Sequence, residues 1–456
     1  MQTLGRVRKI IEKAGSRGTF FQKFRAKMRQ FLAKKIKKII RNITFEKINT
    51  LSLFGRLKFA RSKGVLKKLY AAHLQRLQEE VKHRKIRVGF LVNSKCKWHG
   101  QFLCDMLAKS DNFEPIIFAA KKFYSPDVCE LHELAASFQN AGLHVEYACD
   151  VAAKKYLDLE IFKPDIVFYE QPWNIEKEHG IFRVAKFALT CYTPYCFHLL
   201  QSEYDYLEKF HRFLWKYFVE SPMHLESYKS RFNADNCVSV GSLHLDGYSS
   251  DEKPNENLWK DKSGKKKRII YAPHFSTAAN HMMATFQQNG QFILNLAGMY
   301  PETTWIIRPH PHFDEEVVNC GVVTKQELAD YWDEWEKYGT ISRQENFIDL
   351  FRTSDCLITD CISFLADYFP TGKPVFHLRS DMQTREFNNF AEDIIKTYYQ
   401  IRSNAQLDQM FLRVIIEGDD YMAPQRLSQI KAMELVGNKT ASERVFNHIK
   451  SELKIQ

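Results

Sequence analysis

Histidine, arginine, aspartate and hydroxyl side chains follow three short apolar runs in the second half of the sequence. The runs cover residues 268–271, 304–308 and 356–359, and each is typical of a buried parallel strand. Because the carboxyl ends of parallel strands share one edge of a sheet, we expect these side chains around one cavity. The set consists of His274, Ser276, Arg308, His310, Thr359, Asp360, Ser363 and Asp367.

This composition suits the binding of a phosphate ester. Arg308 can neutralise phosphate charge through two parallel hydrogen bonds. Ser363 lies where the N–H groups of a helix start can hold phosphate oxygens, and His310 can carry a proton near neutral pH. Simpler interpretations stay open, because the prolines beside His310 can mark a strand exit and Asp360 can cap a helix.

The sequence predicts neither a metal nor a cofactor. His274, His310 and His312 could bind a metal, but no carboxylate or cysteine has motif spacing beside them. No D-x-D pair suited to a metal, no G-x-G-x-x-G and no G-x-x-x-x-G-K-[ST] motif is present. Neither dinucleotide nor P-loop chemistry is therefore supported.

The elements that position these residues belong to two α/β series. The first series has strand candidates at residues 86–92, 115–119, 144–148 and 165–169, with further runs at 189–192, 213–219 and 237–240. Helical segments between them suit parallel crossovers. A polar segment at 249–267 is interpreted as a linker. The second series follows it and consists of the three runs named above and a further strand candidate at 375–378.

We therefore predict an α/β protein of the GT-B class, with two Rossmann-like domains facing a cleft that holds the active site. Residues 86–248 form an N-terminal acceptor domain in this interpretation. Residues 268–456 form a C-terminal domain for the donor nucleotide and include the C-terminal helices. Residues 1–85 precede both domains as a basic extension.

The basic extension holds 25 Lys and Arg against 4 Asp and Glu, although the whole chain of 456 residues has a net charge of only +12. Apolar residues at helical spacing give it one apolar face: Phe24, Met28, Phe31, Leu32, Ile36, Ile39 and Ile40. A cationic amphipathic helix favours an anionic membrane surface. Packing on the protein itself is the alternative, and nucleic acid is not expected because no RNA-binding signature or zinc finger accompanies the charge.

Composition restricts the class of protein further. The chain is 45% hydrophobic and 26% charged, which is typical of a globular protein and not of a disordered one. The sequence shows no spanning helix and no signal peptide. Its ten cysteines form no C-x-x-C pair, which indicates a reducing, cytosolic environment.

Three segments of the second half resemble the CDP-glycerol glycerophosphotransferase family, which builds or primes teichoic acid and capsule polymers. They are residues 271–273 (YAP), 308–311 (RPHP) and 354–363 (SDCLITDCIS), continuing to 367–368 and 372–375. The similarity covers residues 265–400 well and residues 86–250 in outline. The resemblance implies a GT-B fold, a cationic membrane-targeting part and a place at the cytoplasmic face of the bacterial inner membrane.

The resemblance also implies roles for single residues. Arg308 and His310, together with the loop from Thr359 to Ser363, would hold the donor pyrophosphate, and His310 would stabilise or protonate the leaving phosphate. In the family, two consecutive serines follow the aspartate and an aromatic residue. Ile362 replaces the first serine here, so one hydrogen bond to the pyrophosphate is lost or supplied elsewhere.

The acceptor base is less defined. The family carries a histidine in a Trp-His-Gly-Thr-Pro segment, which His99 matches in three letters without the Thr-Pro. His198, in residues 193–198 (TPYCFH), has a more plausible position deeper in the domain. Either histidine or neither can be the base. Residues 169–173 (YEQPW) could contact the acceptor or a sugar, or simply pack on the sheet edge.

We predict a transferase that moves glycerol phosphate, or another polyol phosphate, from a CDP-activated donor to a lipid-linked or growing glycan, releasing CMP. One alternative is a GT-B glycosyltransferase that uses a nucleotide sugar. The other is a non-catalytic, membrane-bound scaffold.

Overall fold

The computed structural model describes residues 53–120, 129–173, 175–232, 234–249, 253–276, 283–343, 347–381, 383, 385–435 and 439–455. The cationic helix predicted within the first 42 residues lies outside this part of the chain. The chain divides into two compact units, Met1–Val65 and Leu66–Gln456. No described helix combines the length and the apolar character that crossing a bilayer requires.

A parallel sheet forms the first half of the larger unit. Its described strands, with one small antiparallel pair (β4 and β5), are β1 (Ile86–Val92), β2 (Phe113–Ala119), β3 (Val145–Tyr147), β4 (Cys149–Asp150), β5 (Lys155–Tyr156), β6 (Ile166–Tyr169), β7 (Leu189–Tyr192), β8 (Lys216–Val219) and β9 (Cys237–Ser239). The spatial order of the described parallel strands is β3-β2-β1-β6-β7-β8-β9. All seven runs predicted as strands contribute to this sheet.

A second parallel sheet follows in the chain. Its described strands are β10 (Lys267–Ala272), β11 (Thr303–Ile307), β12 (Gly339–Ile341), β13 (Cys356–Thr359), β14 (Val375–Leu378) and β15 (Tyr399–Ile401). Their spatial order is β12-β11-β10-β13-β14-β15. The three runs followed by polar residues are adjacent strands at the centre, since β10 pairs with both β11 and β13. The predicted meeting of their carboxyl ends is therefore confirmed.

Helices connect and cover the strands. Those of the first half are Leu53–Glu80, Gln101–Lys109, Cys129–Asn140, Ile181–Val184, Glu203–His211 and Pro222–Arg231. Those of the second half are Phe286–Met299, Phe313–Asn319, Lys325–Trp335, Ile348–Thr353, Ile362–Asp367, Asn389–Ile395, Asn404–Phe411, Ala423–Met433 and Ala441–Glu452.

The last helix packs on the first sheet, although the sequence prediction placed it with the C-terminal domain. Ala441, Val445 and Ile449 recur at intervals of four residues, and this apolar stripe is buried in the core around β1 and β2. Asp246 holds its start by accepting hydrogen bonds from the N–H groups of Ala441 and Ser442 at 2.7 and 2.9 Å. The C-terminal helix is thus tied to the first half of the molecule.

Part of the predicted basic extension also belongs to this core. Leu66, Tyr70 and Leu77 on the helix Leu53–Glu80 are buried with the first sheet. The Tyr70 hydroxyl lies 2.6 Å from Thr190 Oγ1 on β7. Residues 66–80 therefore pack on the protein itself.

The two halves meet along the segment that leads out of β7. The N–H of Asn388 donates to the carbonyl oxygen of Leu199 at 2.8 Å, and the N–H of Gln201 donates to that of Glu386 at 3.0 Å. The Asn388 side chain donates to the carbonyl oxygen of His198 at 2.6 Å. His198 therefore lies where the halves touch.

Candidate active site

Two histidines and a phenylalanine form one cluster at the carboxyl ends of β10 and β11. The ring centres of His274 and His310 are 5.3 Å apart. Phe275 packs against both, at 4.6 Å from His274 and 4.3 Å from His310. The loops are joined by a hydrogen bond from the N–H of His310 to the carbonyl oxygen of Pro273 at 3.1 Å. The structure therefore brings these predicted histidines together.

Backbone N–H groups fix the hydrogen-bonding roles of both imidazoles. Nδ1 of His310 accepts a hydrogen bond from the N–H of His312 at 3.2 Å. Nδ1 of His274 accepts one from the N–H of Ser276 at 3.1 Å. A neutral imidazole with an accepting Nδ1 carries its proton on Nε2. Both rings are thus held as Nε2–H donors. Phosphate oxygens accept hydrogen bonds, so both rings can bind them.

Asp360 builds the loops of this cluster. Its Oδ1 accepts from the N–H of His274 at 2.6 Å, and its Oδ2 accepts from the N–H and hydroxyl of Thr285 at 2.6 and 2.8 Å. Burial raises its pKa to about 6. Asp360 does not cap the helix that follows, because that position is occupied by Cys361. Its carboxylate instead clamps two segments around the cluster.

Thr359, like Asp360, has a structural role. Its hydroxyl donates to the carbonyl oxygen of Ala272 at 2.6 Å and accepts from the N–H of Cys361 at 2.9 Å. The Thr359 side chain is completely buried, so its bonds join β13 to β10 and shape the start of the next helix.

Arg308 and Ser363 lie beside that helix, Ile362–Asp367. The Arg308 guanidinium is 5.9 Å from the ring centre of Phe364. The backbone N–H of Arg308 donates to the carbonyl oxygen of Tyr271 at 2.8 Å, which extends the β10–β11 pairing. The Ser363 hydroxyl lies 3.6 Å from the sulfur of Cys361. The guanidinium of Arg308, which follows β11, therefore lies near the helix that carries the Ser363 hydroxyl after β13.

Electrostatics keep the unliganded cluster from gaining protons. Burial, together with His274, His312 and Arg308, lowers the pKa of His310 to about 3. Each of these neighbours disfavours a further positive charge. The two rings therefore stay neutral and can meet a bound pyrophosphate as Nε2–H donors.

His198 pairs with a buried carboxylate at the junction of the halves. Its Nδ1 contacts Oε1 of Glu220, and its N–H donates to the same oxygen at 3.2 Å. Burial opposes a charge on the imidazole, but Glu220 more than offsets it, so the pKa of His198 is raised. Burial also disfavours the carboxylate, yet His198 and His224 lower the pKa of Glu220. A carboxylate that holds Nδ1–H leaves Nε2 as the basic nitrogen.

His99 and Asp367 lie together in a third group, organised by His244. The rings of His99 and His244 stack with centres 4.1 Å apart and planes 2° apart. Nε2 of His244 is 3.5 Å from Oδ2 of Asp367. Burial raises the pKa of Asp367 well above its usual range and lowers the pKa of His99 to about 4. Asp367 thus faces the first half of the molecule, at the far end of the helix that carries Ser363.

Glu220 and His244 were missed by the sequence analysis. Glu220 directly follows β8, so the strand-end argument used elsewhere could have found it. His244 lies on the short 3-10 segment Leu243–Ser249, which has no such signal. Across the described ranges, no group of three or more His, Cys, Asp or Glu is arranged to hold a metal ion.

A family model for CDP-glycerol:poly(glycerophosphate) glycerophosphotransferase matches residues 175–451 of the chain. That range contains the strand ends of the second sheet, the His198–Glu220 pair and His244. No curated protein has a significant sequence match to the chain.

Solved structures show the same fold. An S. aureus MnaA–UDP co-structure has a TM-score of 0.55 at 15% identity, covering 81% of this chain and 98% of that one. A variant of the wall teichoic acid polymerase TagF with CDPG has a TM-score of 0.51 at 14% identity, covering 92% and 98%. A putative UDP-N-acetylglucosamine 2-epimerase from Listeria monocytogenes has a TM-score of 0.53 at 14% identity, covering 82% and 97%. The predicted GT-B fold is confirmed by these likenesses.

Proposed function

Since the chain belongs to the CDP-glycerol:poly(glycerophosphate) glycerophosphotransferase family, and so is a transferase of glycerol phosphate, we propose that His198 activates the acceptor hydroxyl while the His274–His310 cluster holds the donor pyrophosphate. Residues 86–248, together with the helix Ala441–Glu452, would carry the acceptor, and residues 268–435 the donor, with 249–267 as the linker. The acceptor is the end of a growing polymer of the teichoic type.

The reaction is an in-line displacement at the phosphorus that bears the glycerol. The acceptor oxygen forms a bond to that phosphorus, and the bond from phosphorus to the CMP oxygen breaks. Nε2 of His198 takes the acceptor proton, and Glu220 stabilises the resulting imidazolium. The negative charge that develops on the departing CMP phosphate is met by donors of the second half.

The observation that carries this proposal is the fixed tautomer of His274 and His310. Two Nε2–H donors with ring centres 5.3 Å apart can bind oxygens of one pyrophosphate. Arg308 adds charge and Ser363 adds a hydroxyl on the adjacent helix turn. Nε2–H of the neutral His310 ring donates to the pyrophosphate and stabilises the charge that develops on the leaving phosphate.

The remaining predicted residues have supporting roles in this proposal. Thr359 and Asp360 shape the loops that present the two imidazoles, and Ser276 positions His274 through its N–H and its hydroxyl, 2.8 Å from Nδ1. Asp367 and His99 join the donor helix to the first half through His244. No metal or other cofactor is part of the proposal.

We also propose that the protein binds the cytoplasmic face of the bacterial inner membrane through residues 1–85. Their excess of Lys and Arg suits anionic lipid headgroups. Exposed Ile161 and Phe182, at 60% and 51%, lie at the amino end of the first sheet with exposed Lys163 and Lys186. Full-length protein should sediment with anionic phosphatidylglycerol vesicles and not with phosphatidylcholine vesicles. Sedimentation with neither would contradict membrane binding, and equal sedimentation with both would contradict its dependence on anionic headgroups.

The experiment that tests the proposed chemistry measures CMP release from CDP-glycerol, CDP-ribitol and a panel of nucleotide sugars, with a membrane extract as acceptor source. We expect release from the CDP-polyol and its loss in His310→Ala. His132→Ala, which removes an exposed histidine from the helix Cys129–Asn140, is the matched control and should retain activity. Turnover confined to a nucleotide sugar would overturn the donor, and full activity of His310→Ala would overturn its role.

A further inference from the structure

A narrow pocket opens at the carboxyl ends of β1 and β6, in the first half of the molecule. Its lining includes six polar side chains beside apolar ones: Asn93, Tyr156, Glu170, Gln171, Glu176 and His179. The described mechanism uses none of them. The carboxyl ends of parallel strands are where ligands of open α/β sheets bind, so the pocket lies on the edge that faces the other half.

Glu170 is the unusual group in this pocket. Its side chain is 7% exposed, and its Oε1 is buried without a hydrogen-bond partner. Burial raises its pKa well above the usual range, and Lys97 acts in the opposite direction. A buried polar atom without a partner is costly, and such atoms in native proteins commonly mark a missing ligand or water. A neutral carboxyl group can also donate to and accept from a hydroxyl.

A lysine and two aromatic rings stand at the side of the pocket. Lys97 Nζ donates to Oε1 of Gln171 at 2.6 Å, and it lies 5.1 Å from the ring centre of Tyr195 and 5.7 Å from that of Trp173. The two rings meet edge to face at 5.8 Å. An ammonium is a strong, charged donor to phosphate oxygens, and Lys97 places this charge at the side of the pocket.

The same residues are connected to the proposed base. Tyr195 precedes His198 by three residues, on the segment that runs from β7 into the junction of the halves. Lys97 precedes His99 by two residues. A molecule bound over Lys97 and Tyr195 therefore lies next to the segment that presents His198.

We propose that Glu170, Lys97, Trp173 and Tyr195 form the acceptor subsite and bind a terminal polyol phosphate unit of the acceptor chain. A hydroxyl of that unit enters the pocket and bonds to Glu170. Its phosphodiester pairs with Lys97, and its carbon chain packs on the two aromatic rings. This inference rests on the proposed function, because it supplies the acceptor for the same transfer.

The test measures steady-state kinetics with a short glycerol phosphate oligomer as acceptor and CDP-glycerol as donor. Lys97→Ala should raise the acceptor KM about tenfold or more, as expected for a lost hydrogen bond to a charged group, and leave the KM for CDP-glycerol within about twofold. Lys109→Ala, at the exposed end of the helix Gln101–Lys109, is the matched control. An unchanged acceptor KM for Lys97→Ala, or an equal rise in the donor KM, would overturn the subsite.

Two variants of Glu170 separate a ligand contact from a fold contact. Glu170→Gln keeps a donor and an acceptor and should retain most of the acceptor affinity, whereas Glu170→Leu should lose it without a fall in melting temperature. Equal acceptor KM values for both variants would contradict the contact.

Binding of the acceptor can also be measured directly, without catalysis. Titration of the glycerol phosphate oligomer should show binding to the wild type and its loss in Lys97→Ala, whether or not CMP is released. If CDP-glycerol is never turned over but this pattern holds, the proposed function fails and the subsite stands. If the wild type transfers glycerol phosphate but Lys97→Ala binds the oligomer equally well, the subsite fails alone.

Discussion

Replacement of Glu220 by glutamine isolates the effect of its charge on His198. Oε1 of Glu220 accepts from both Nδ1 and the N–H of His198, so the glutamine must keep its carbonyl oxygen there. Its NH₂ group then takes the place of Oε2, 3.4 Å from the Tyr217 hydroxyl, which can accept a hydrogen bond. The ring therefore keeps its tautomer and orientation in Glu220→Gln and loses only the carboxylate charge.

The size of the effect follows from the difference between a charged and a neutral hydrogen bond. A bond to a charged group is worth about 1.5–3 kcal/mol and a neutral one about 0.5–1.5 kcal/mol. The imidazolium that forms in the transition state thus loses about 1.4 kcal/mol, which is about tenfold in kcat. Glu220→Leu removes the whole bond and frees the tautomer, and should cost about 100-fold or more.

The pH profile supplies a second readout. Glu220 raises the pKa of His198, and a base must be unprotonated, so activity should rise with pH through that pKa. Loss of the carboxylate lowers the pKa, and the acidic limb of kcat should move to lower pH in Glu220→Gln while its plateau falls.

The assay is CMP release from CDP-glycerol across pH, with melting temperature recorded for each variant. Glu203→Gln is the matched control, because Glu203 accepts from the N–H groups of Leu199 and Leu200 and raises the pKa of His198 less than Glu220 does. If Glu220→Gln keeps the wild-type kcat plateau and the acidic limb of kcat does not move, the role of the His198–Glu220 pair is refuted. If the acidic limb moves as far in Glu203→Gln, the effect is not specific to Glu220.

Three further predictions concern the donor cluster. His310→Ala should lower kcat about 100-fold or more and leave the melting temperature nearly unchanged, and an unaltered kcat would contradict its role. CDP-glycerol binding should take up no proton at pH 6, since Nδ1 of His310 accepts from the N–H of His312 and burial lowers the His310 pKa to about 3; binding heats that differ between buffers of different ionisation enthalpy would exclude this. Asp360→Asn should lower unfolding free energy by about 1–3 kcal/mol, because its amide must turn a donor toward either Thr285 or His274; urea denaturation measures the loss, and unchanged stability would contradict the clamp.

Much of the second sheet could be predicted from the sequence, because its central strands are buried on both faces. Such strands read as continuous apolar runs, and β10, β11 and β13 did so. The residues after them could then be placed by topology alone, which brought His274 and His310 to one edge. The strands β12 and β15 were missed because they are three residues long and carry no apolar run.

Contacts between distant segments could not be predicted in the same way. The stacking of His99 on His244 joins residues that no periodic pattern relates. The clamp formed by Asp360 depends on Thr285, 75 positions away in the chain. The apolar stripe of Ala441–Glu452 is visible in the sequence. Such a stripe predicts that one face of the helix is buried, but it does not indicate which sheet the helix packs on.

The central claim is that glycerol phosphate passes from CDP-glycerol to an acceptor hydroxyl activated by His198. Transfer of label from [glycerol-¹⁴C]CDP-glycerol to an acceptor polymer, measured together with CMP for the wild type and His198→Ala, tests this claim directly. We expect equal amounts of labelled polymer and CMP in the wild type, and a loss of both of about 100-fold or more in a folded His198→Ala. Labelled polymer formed at the wild-type rate by His198→Ala would contradict the role of His198, and CMP formed by the wild type without labelled polymer would contradict the transfer.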